Sequence, residues 1–190
     1  MWERKARGAR NAKSGFAAFA GFAFLCWAAS ACAHDGIPQL PHVRGEAGTQ
    51  RLIDDAARRS PAIREWIDRL QALDVTVYVR GKLFAQLDLD GRIALPATAG
   101  SHRYLVIELA CGRSEITQMA TLGHELFHAI EIAEEPTAVS PETLADLYSR
   151  IGRQTGDDSG RRTFETEAAA AAGVRARRQL LTSTRHGNGT

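Results

Sequence analysis

Two histidines four residues apart, His124 and His128, bracket Glu125 in the run Thr121-Leu122-Gly123-His124-Glu125-Leu126-Phe127-His128, an HExxH pattern. On a helix this spacing puts both imidazoles on one face about a turn apart, so a single metal ion can take a nitrogen from each. Two neutral nitrogens suit Zn2+, and a catalytic zinc keeps an open position where water is acidified to a pKa near ~7. Glu125 is then the expected general base. A carboxylate beside that position can take the proton, aim hydroxide at a polarised carbonyl and return the proton to a leaving amine. Ile116, Met119, Ala120, Gly123, Phe127 and Ile130 recur at helical spacing. They predict a helix from near Ser114 to before Pro136, with one buried face and the histidines on its flank.

A catalytic zinc usually has three protein ligands. Glu131 and Glu134 lie three and six residues past His128. A ligand six residues on needs a glycine at the intervening turn, and this chain has Glu131 there, so the helix should carry Glu134 away. Glu131 is expected to be solvated or to support a ligand from behind. Glu165 and Glu167 remain, in Phe164-Glu165-Thr166-Glu167-Ala168-Ala169, on a helix predicted from about Thr163 to Leu181. Glu165 heads an uncharged stripe through Ala169, Ala172, Gly173, Ala176 and Leu180, whereas the stripe through Glu167 meets Arg178. Small residues let two helices approach closely, so Glu165 is the preferred third ligand and Glu167 the alternative.

HExxH followed by a Glu ligand on a later helix is similar to the gluzincin peptidases, and Glu165-Thr166-Glu167-Ala168 resembles the ExEAD element of the HtpX-like membrane and periplasmic peptidases. The resemblance covers the two helices and their connection. It implies that His124, His128 and Glu165 bind zinc and that Glu125 is the base. The Asp that closes the family's element is Ala169 here, which removes an acid that would orient a metal-bound histidine.

The elements around the motif follow from local signals. Ser60-Pro61 and Ser140-Pro141 each set a capping hydroxyl before a proline, predicting helices over about Pro61 to Leu73 and Pro141 to Arg150. Val75 to Val79 and Leu83 to Leu89 alternate as strands. Asp90-Gly91 suggests a hairpin into Ile93-Ala94-Leu95, a reading preferred to a calcium loop from Asp88 and Asp90 because the later ligands are missing. Tyr104 to Leu109 is a further strand leading towards the motif helix, and its edge is a candidate for pairing with an extended substrate. The expected fold is an α+β domain of minimal zincin type, with a small, mostly antiparallel sheet packed on the HExxH helix.

The ends of the chain point to export. Arg4, Lys5, Arg7, Arg10 and Lys13 precede an uncharged stretch from Ser14 to Ala33, so residues 1–33 are expected to be a secretory signal. Cleavage exposing Cys32 for lipidation, or retention of the segment as a membrane anchor, are the alternatives. That segment holds five of the 24 Lys and Arg and one of the 22 Asp and Glu, leaving 19 against 21. The remainder is slightly acidic, with no nucleic-acid footprint. Cys111 is the only cysteine of the three beyond that segment, so no internal disulfide is expected. Residues 34–50, rich in Pro and Gly, read as a linker, 51–181 as the domain, and 182–190 as a disordered polar tail.

Together these features predict an exported, periplasmic or secreted, zinc metallopeptidase acting on peptide or protein substrates. The rival is a non-catalytic exported domain in which zinc only ties helices together. Tyr148, His102, Arg161 and Arg162 are conceivable oxyanion donors, and spacing selects none of them.

Overall fold

The computed structural model describes residues 40–86, 88–158 and 161–187, all within the unit Gln39–Thr190. The expected export signal, residues 1–33 with Cys32, lies outside the described residues. Among the described residues no helix is long and apolar enough to cross a membrane.

The elements run β1 (Val43–Gly45), α1 (Ala47–Arg59), α2 (Pro61–Gln71), β2 (Val75–Lys82), β3 (Gly91–Ala99), β4 (His102–Ala110), α3 (Glu115–Glu134), α4 (Pro141–Ile151), β5 (Arg153–Asp158), β6 (Arg161–Glu165) and α5 (Glu167–Gly187). Three helix starts sit where the capping residues put them. Ser60 accepts from the Ile63 amide at 3.3 Å, Ser114 from Thr117 at 3.2 Å, and Ser140 from Thr143 at 3.3 Å, the last as a reciprocal capping box. Each hydroxyl satisfies an amide that has no partner within its own helix.

The principal sheet has the order β1-β2-β4-β3 and is mixed. β1 pairs parallel with β2, β2 pairs parallel with β4, and only β3 runs antiparallel, to β4. This overturns the expected mostly antiparallel sheet and the hairpin at Asp90-Gly91. Alternation of apolar side chains says which face a residue takes, not which strand lies beside it. Residues 83–86 and 88–90 lie in no strand, and Gly91 opens β3 at the outer edge. β4, the expected docking edge, is therefore interior and fully paired; the edge of the sheet on that side is β3.

Two boundaries shift as well. The expected linker 34–50 contains β1 and the start of α1, because Val43 is buried opposite Val77 and Gly45 packs against Thr49 and Gln50. The expected tail, 182–190, is helical as far as Gly187, with Thr184 receiving a hydrogen bond from Arg59 at 2.7 Å. Residues 188–190 lie outside the described ones.

α3 is the centre of the packing. Leu105, Ile107 and Leu109 of β4 and Val75, Val77 and Val79 of β2 line the helix-facing side of the sheet, and Met119, Leu122, Leu126, Ala129, Ile130 and Ile132 bury more than one face of α3. Gly123 lets α2 and α5 close on the other side: a Cβ there would lie 2.9 Å from Ala176 and 3.1 Å from the Trp66 ring. A helix enclosed in this way is held by burial rather than by local propensity, which suits an element that must hold side chains in fixed positions. At its far end, buried Arg103 donates to the carbonyls of Glu135 at 2.8 Å and Ala138 at 2.9 Å, pinning the turn into α4.

Candidate metal centre

His124 and His128 project from α3 as their spacing predicts, with ring centroids 4.8 Å apart. Glu165 meets them. Its Oε2 lies 3.4 Å from His124 Nε2 and its Oε1 3.7 Å from His128 Nε2, and donor atoms of all three residues fall within 4.8 Å of one another. This group could hold a metal ion, and it is the only such cluster among the described residues.

The path of Glu165 to the site differs from the expected one. It is the last residue of β6, paired with Arg153 of β5, and the helix begins two residues later. Thr163 and Phe164 belong to that hairpin because a β-branched and an aromatic side chain suit an extended ladder. Thr166 is the hinge: its hydroxyl accepts from the Ala169 amide at 3.0 Å, capping α5. The predicted stripe does close the helix pair, since Ala169, Ala172, Ala176 and Leu180 are buried and Gly173 packs on His124, where a Cβ would come within 3.2 Å. Glu167 is exposed in the first turn of α5 and takes no part, and Glu134 is paired with Arg69.

Each histidine is held from behind. His128 Nδ1 is 2.8 Å from Glu131 Oε2, and the other oxygen of Glu131 accepts from the Thr166 hydroxyl at 2.7 Å. The Glu131 carboxylate thus fixes the ring so that Nε2 faces Glu165. Tyr148, a candidate oxyanion donor, sits on the same side: its hydroxyl lies 3.3 Å from His128 Nδ1 and donates to the His128 carbonyl at 3.4 Å. The ring of His124 is hydrogen-bonded to the backbone of Ala169.

The remaining oxyanion candidates are elsewhere or undescribed. His102 is tied to Asp74 at 2.5 Å and to Thr76 at 2.9 Å at the opposite end of β4 from the chain's entry into α3. The Arg161 and Arg162 side chains lie outside the described residues. Three contributors escaped the sequence reading. Thr166 was legible only as the middle of a Glu-Thr-Glu run, Arg153 carried no signal, and Gly91 was read as a turn. A Cβ on Gly91 would clash with Thr121 and lie 3.4 Å from Glu125 Oε1, so the backbone of β3 passes directly over the general-base candidate.

Electrostatics separate the roles further. Burial lowers the His124 pKa to about 4, helped by His128, so the ring is neutral at pH 7 and offers a lone pair. For His128, burial works against the charged form, but the Glu131 hydrogen bond and the carboxylates of Glu125, Glu131 and Glu165 outweigh it and raise the pKa. Glu125 is raised to about 7, first by burial and also by Glu165, against the opposing influence of His128. Glu165 is raised by burial, with His128, the Thr166 amide and Arg153 favouring its ionised form. A cation in the cluster would relieve the mutual repulsion of these acids.

An open cleft leads to this group, lined by Asp90, Gly91, Ala120, Thr121, Val174 and Arg177 beside His124 and Glu125. No protein-family model, curated protein or solved structure matches the chain, so the case for its function rests on this geometry.

Proposed function

We propose that the protein is an exported zinc metallopeptidase of gluzincin type that hydrolyses peptide bonds. The observation that carries this reading is the position of Glu125, buried next to a three-donor cluster and at the floor of an open cleft. A tetrahedral zinc shell with bonds of about 2.0–2.1 Å spaces its donors about 3.3 Å apart. The separations of 3.4 and 3.7 Å from Glu165 to the two histidines are close to that, and two imidazoles with one carboxylate is a donor set of catalytic zinc.

When bound, the metal supplies Lewis acidity to water and to a substrate carbonyl. The protein's own residues do the rest. His124, His128 and Glu165 hold the ion, Glu131 and the Ala169 backbone set the two rings, and Glu125 moves the proton from water to the leaving amine. A carboxylate beside the metal position can serve both halves of that transfer. The free edge of β3, starting at Gly91 above Glu125, offers main-chain groups to an extended peptide. The basic and then apolar residues 1–33 support export.

The rival, a structural zinc site, would be closed by four protein ligands and has no use for a buried Glu125. Metal analysis of the purified protein, with digestion of an unfolded protein substrate with and without chelator, tests the proposal. Stoichiometric zinc with chelator-sensitive cleavage is expected; zinc without any cleavage favours the rival.

A further inference from the structure

The cleft beside Glu125, of about 340 Å³, lies between α3, α5 and the start of β3. Its walls next to the cluster are short: Ala120 and Thr121 from α3, Ala170 and Gly173 from α5, and Gly91 from β3. They leave room for a substrate side chain between the two helices. Two charged side chains that the cluster does not use also line it, Asp90 and Arg177. Asp90 is already engaged by Arg113, whose Nε lies 2.7 Å from its Oδ1. Arg177 has no carboxylate partner among the described residues and is exposed at the cleft. Gly173 touches His124, and Arg177 follows it by four residues, about 6 Å further along the helix axis. That offset is the reach from a reacting carbonyl to the end of a neighbouring side chain. On the other side of the cluster, Arg153 adds a second positive charge opposite Glu165.

We infer that this cleft selects peptides with a carboxylate side chain, Glu or Asp, next to the scissile bond, and that Arg177 is the residue that reads it. The inference rests on the peptidase reading and adds its substrate class. A peptide extended along β3 turns alternate side chains to opposite sides, so one residue adjacent to the cleaved bond faces the gap between α3 and α5. An Arg at the open end of that gap pairs with a carboxylate and repels a Lys.

The test uses the full chain loaded with zinc and a set of peptides that differ only by Glu, Ala or Lys at successive positions. Cleavage by the wild-type protein is measured, and affinity is measured separately by fluorescence anisotropy on the Glu125→Gln protein, which reports selection without turnover. Glu peptides should bind about fivefold more tightly than Ala peptides, the range of a partly exposed ion pair, and Lys peptides more weakly still. Arg177→Ala should bring the three affinities together, and Arg177→Glu should invert their order. Equal affinities for all three peptides, a Lys preference directed by Asp90, or a Glu preference that survives in Arg177→Glu would each overturn the inference. Absence of cleavage by wild-type protein would sink the peptidase reading instead, while the anisotropy order still decides the role of Arg177.

Discussion

Two glutamates in this molecule are almost equally inaccessible and chemically opposite. Glu108 on β4 is 3% exposed and Glu125 on α3 is 5% exposed. Around Glu108 stand three cations, Arg80 at 2.5 Å, Lys82 at 2.8 Å and Arg92 at 2.7 Å, supplied by the neighbouring strands β2 and β3. Burial alone would raise its pKa, but the hydrogen bonds from Lys82, Arg80 and Arg92 outweigh burial and hold it at about 2. Around Glu125 stand a histidine and another carboxylate, and its pKa is about 7. Burial works against the charged form of both, less at Glu108, which lies nearer the surface beneath its own cations; the sign of the neighbours then decides whether the carboxylate stays ionised or holds its proton to near neutrality. One glutamate ties three strands together on the side of the sheet away from α3. The other is held in the core with its pKa raised to about 7.

The largest expected effect sharpens the reactive side of this comparison. Glu125→Gln should lower peptide turnover by about 10³-fold while zinc stoichiometry, read by metal analysis, stays at one per chain. Undiminished activity in this variant would remove Glu125 from the mechanism. Next in size, Glu131→Ala should weaken zinc binding by about 10- to 100-fold in a competition titration with a chromogenic chelator, because His128 loses the acceptor that orients it. Unchanged affinity would mean that Tyr148 and packing hold the ring without it.

On the clamp side, Glu108→Gln should destabilise the protein at pH 7 by on the order of 1–3 kcal/mol in denaturant unfolding, discounted for the partly exposed cations. The sign follows from linkage. With a folded pKa of about 2 against an ordinary 4.5, Glu108 contributes stability that is full above 4.5 and is lost as pH falls towards 2. The smallest and most discriminating measurement is on metal-free protein. Glu125 has its folded pKa raised from 4.5 to about 7, so its ionisation weakens the fold progressively as pH rises through that window. Metal-free Glu125→Gln should therefore be more stable than wild type at pH 8, by on the order of 1–2 kcal/mol, and should lose that advantage below pH 4.5. If both glutamine variants shift stability in the same direction at pH 8, the contrast between the two sites is broken.

Legibility in the sequence varied with the range of the signal. The motif helix with its start near Ser114 and the proline-led helices α2 and α4 are local, and the structure has them within a residue or two of the expected bounds. The stripe of small residues from Ala169 to Leu180 was legible because a helix contact leaves a periodic trace, but Glu165 itself reaches the cluster from the end of β6, outside that periodicity. The strand order left no such trace. Leu83 to Leu89 alternates like a strand, yet residues 83–86 and 88–89 lie in none, and Asp90-Gly91 reads as a turn although Gly91 is there to clear Thr121 and approach Glu125. Close backbone approach and turn conformation select the same residue, and composition cannot separate them. The pairing of Glu131 with both His128 and Thr166 was half visible: an i,i+3 relation on one helix is periodic, whereas the Thr166 contact joins residues 35 apart.

The sequence by itself determined that His124, His128 and Glu131 share a helix face, that Glu165 precedes a strip of small residues, and that α2 and α4 start at hydroxyl caps. Those are nearest-neighbour and single-turn relations, set by backbone geometry. Only the tertiary structure decided that Glu165 arrives from the end of a hairpin, that β3 rather than β4 edges the site, and that Ala169 orients a ring with its backbone. These outcomes depend on how separate elements bury one another's surface, an energy summed over the whole core and not written at any single position.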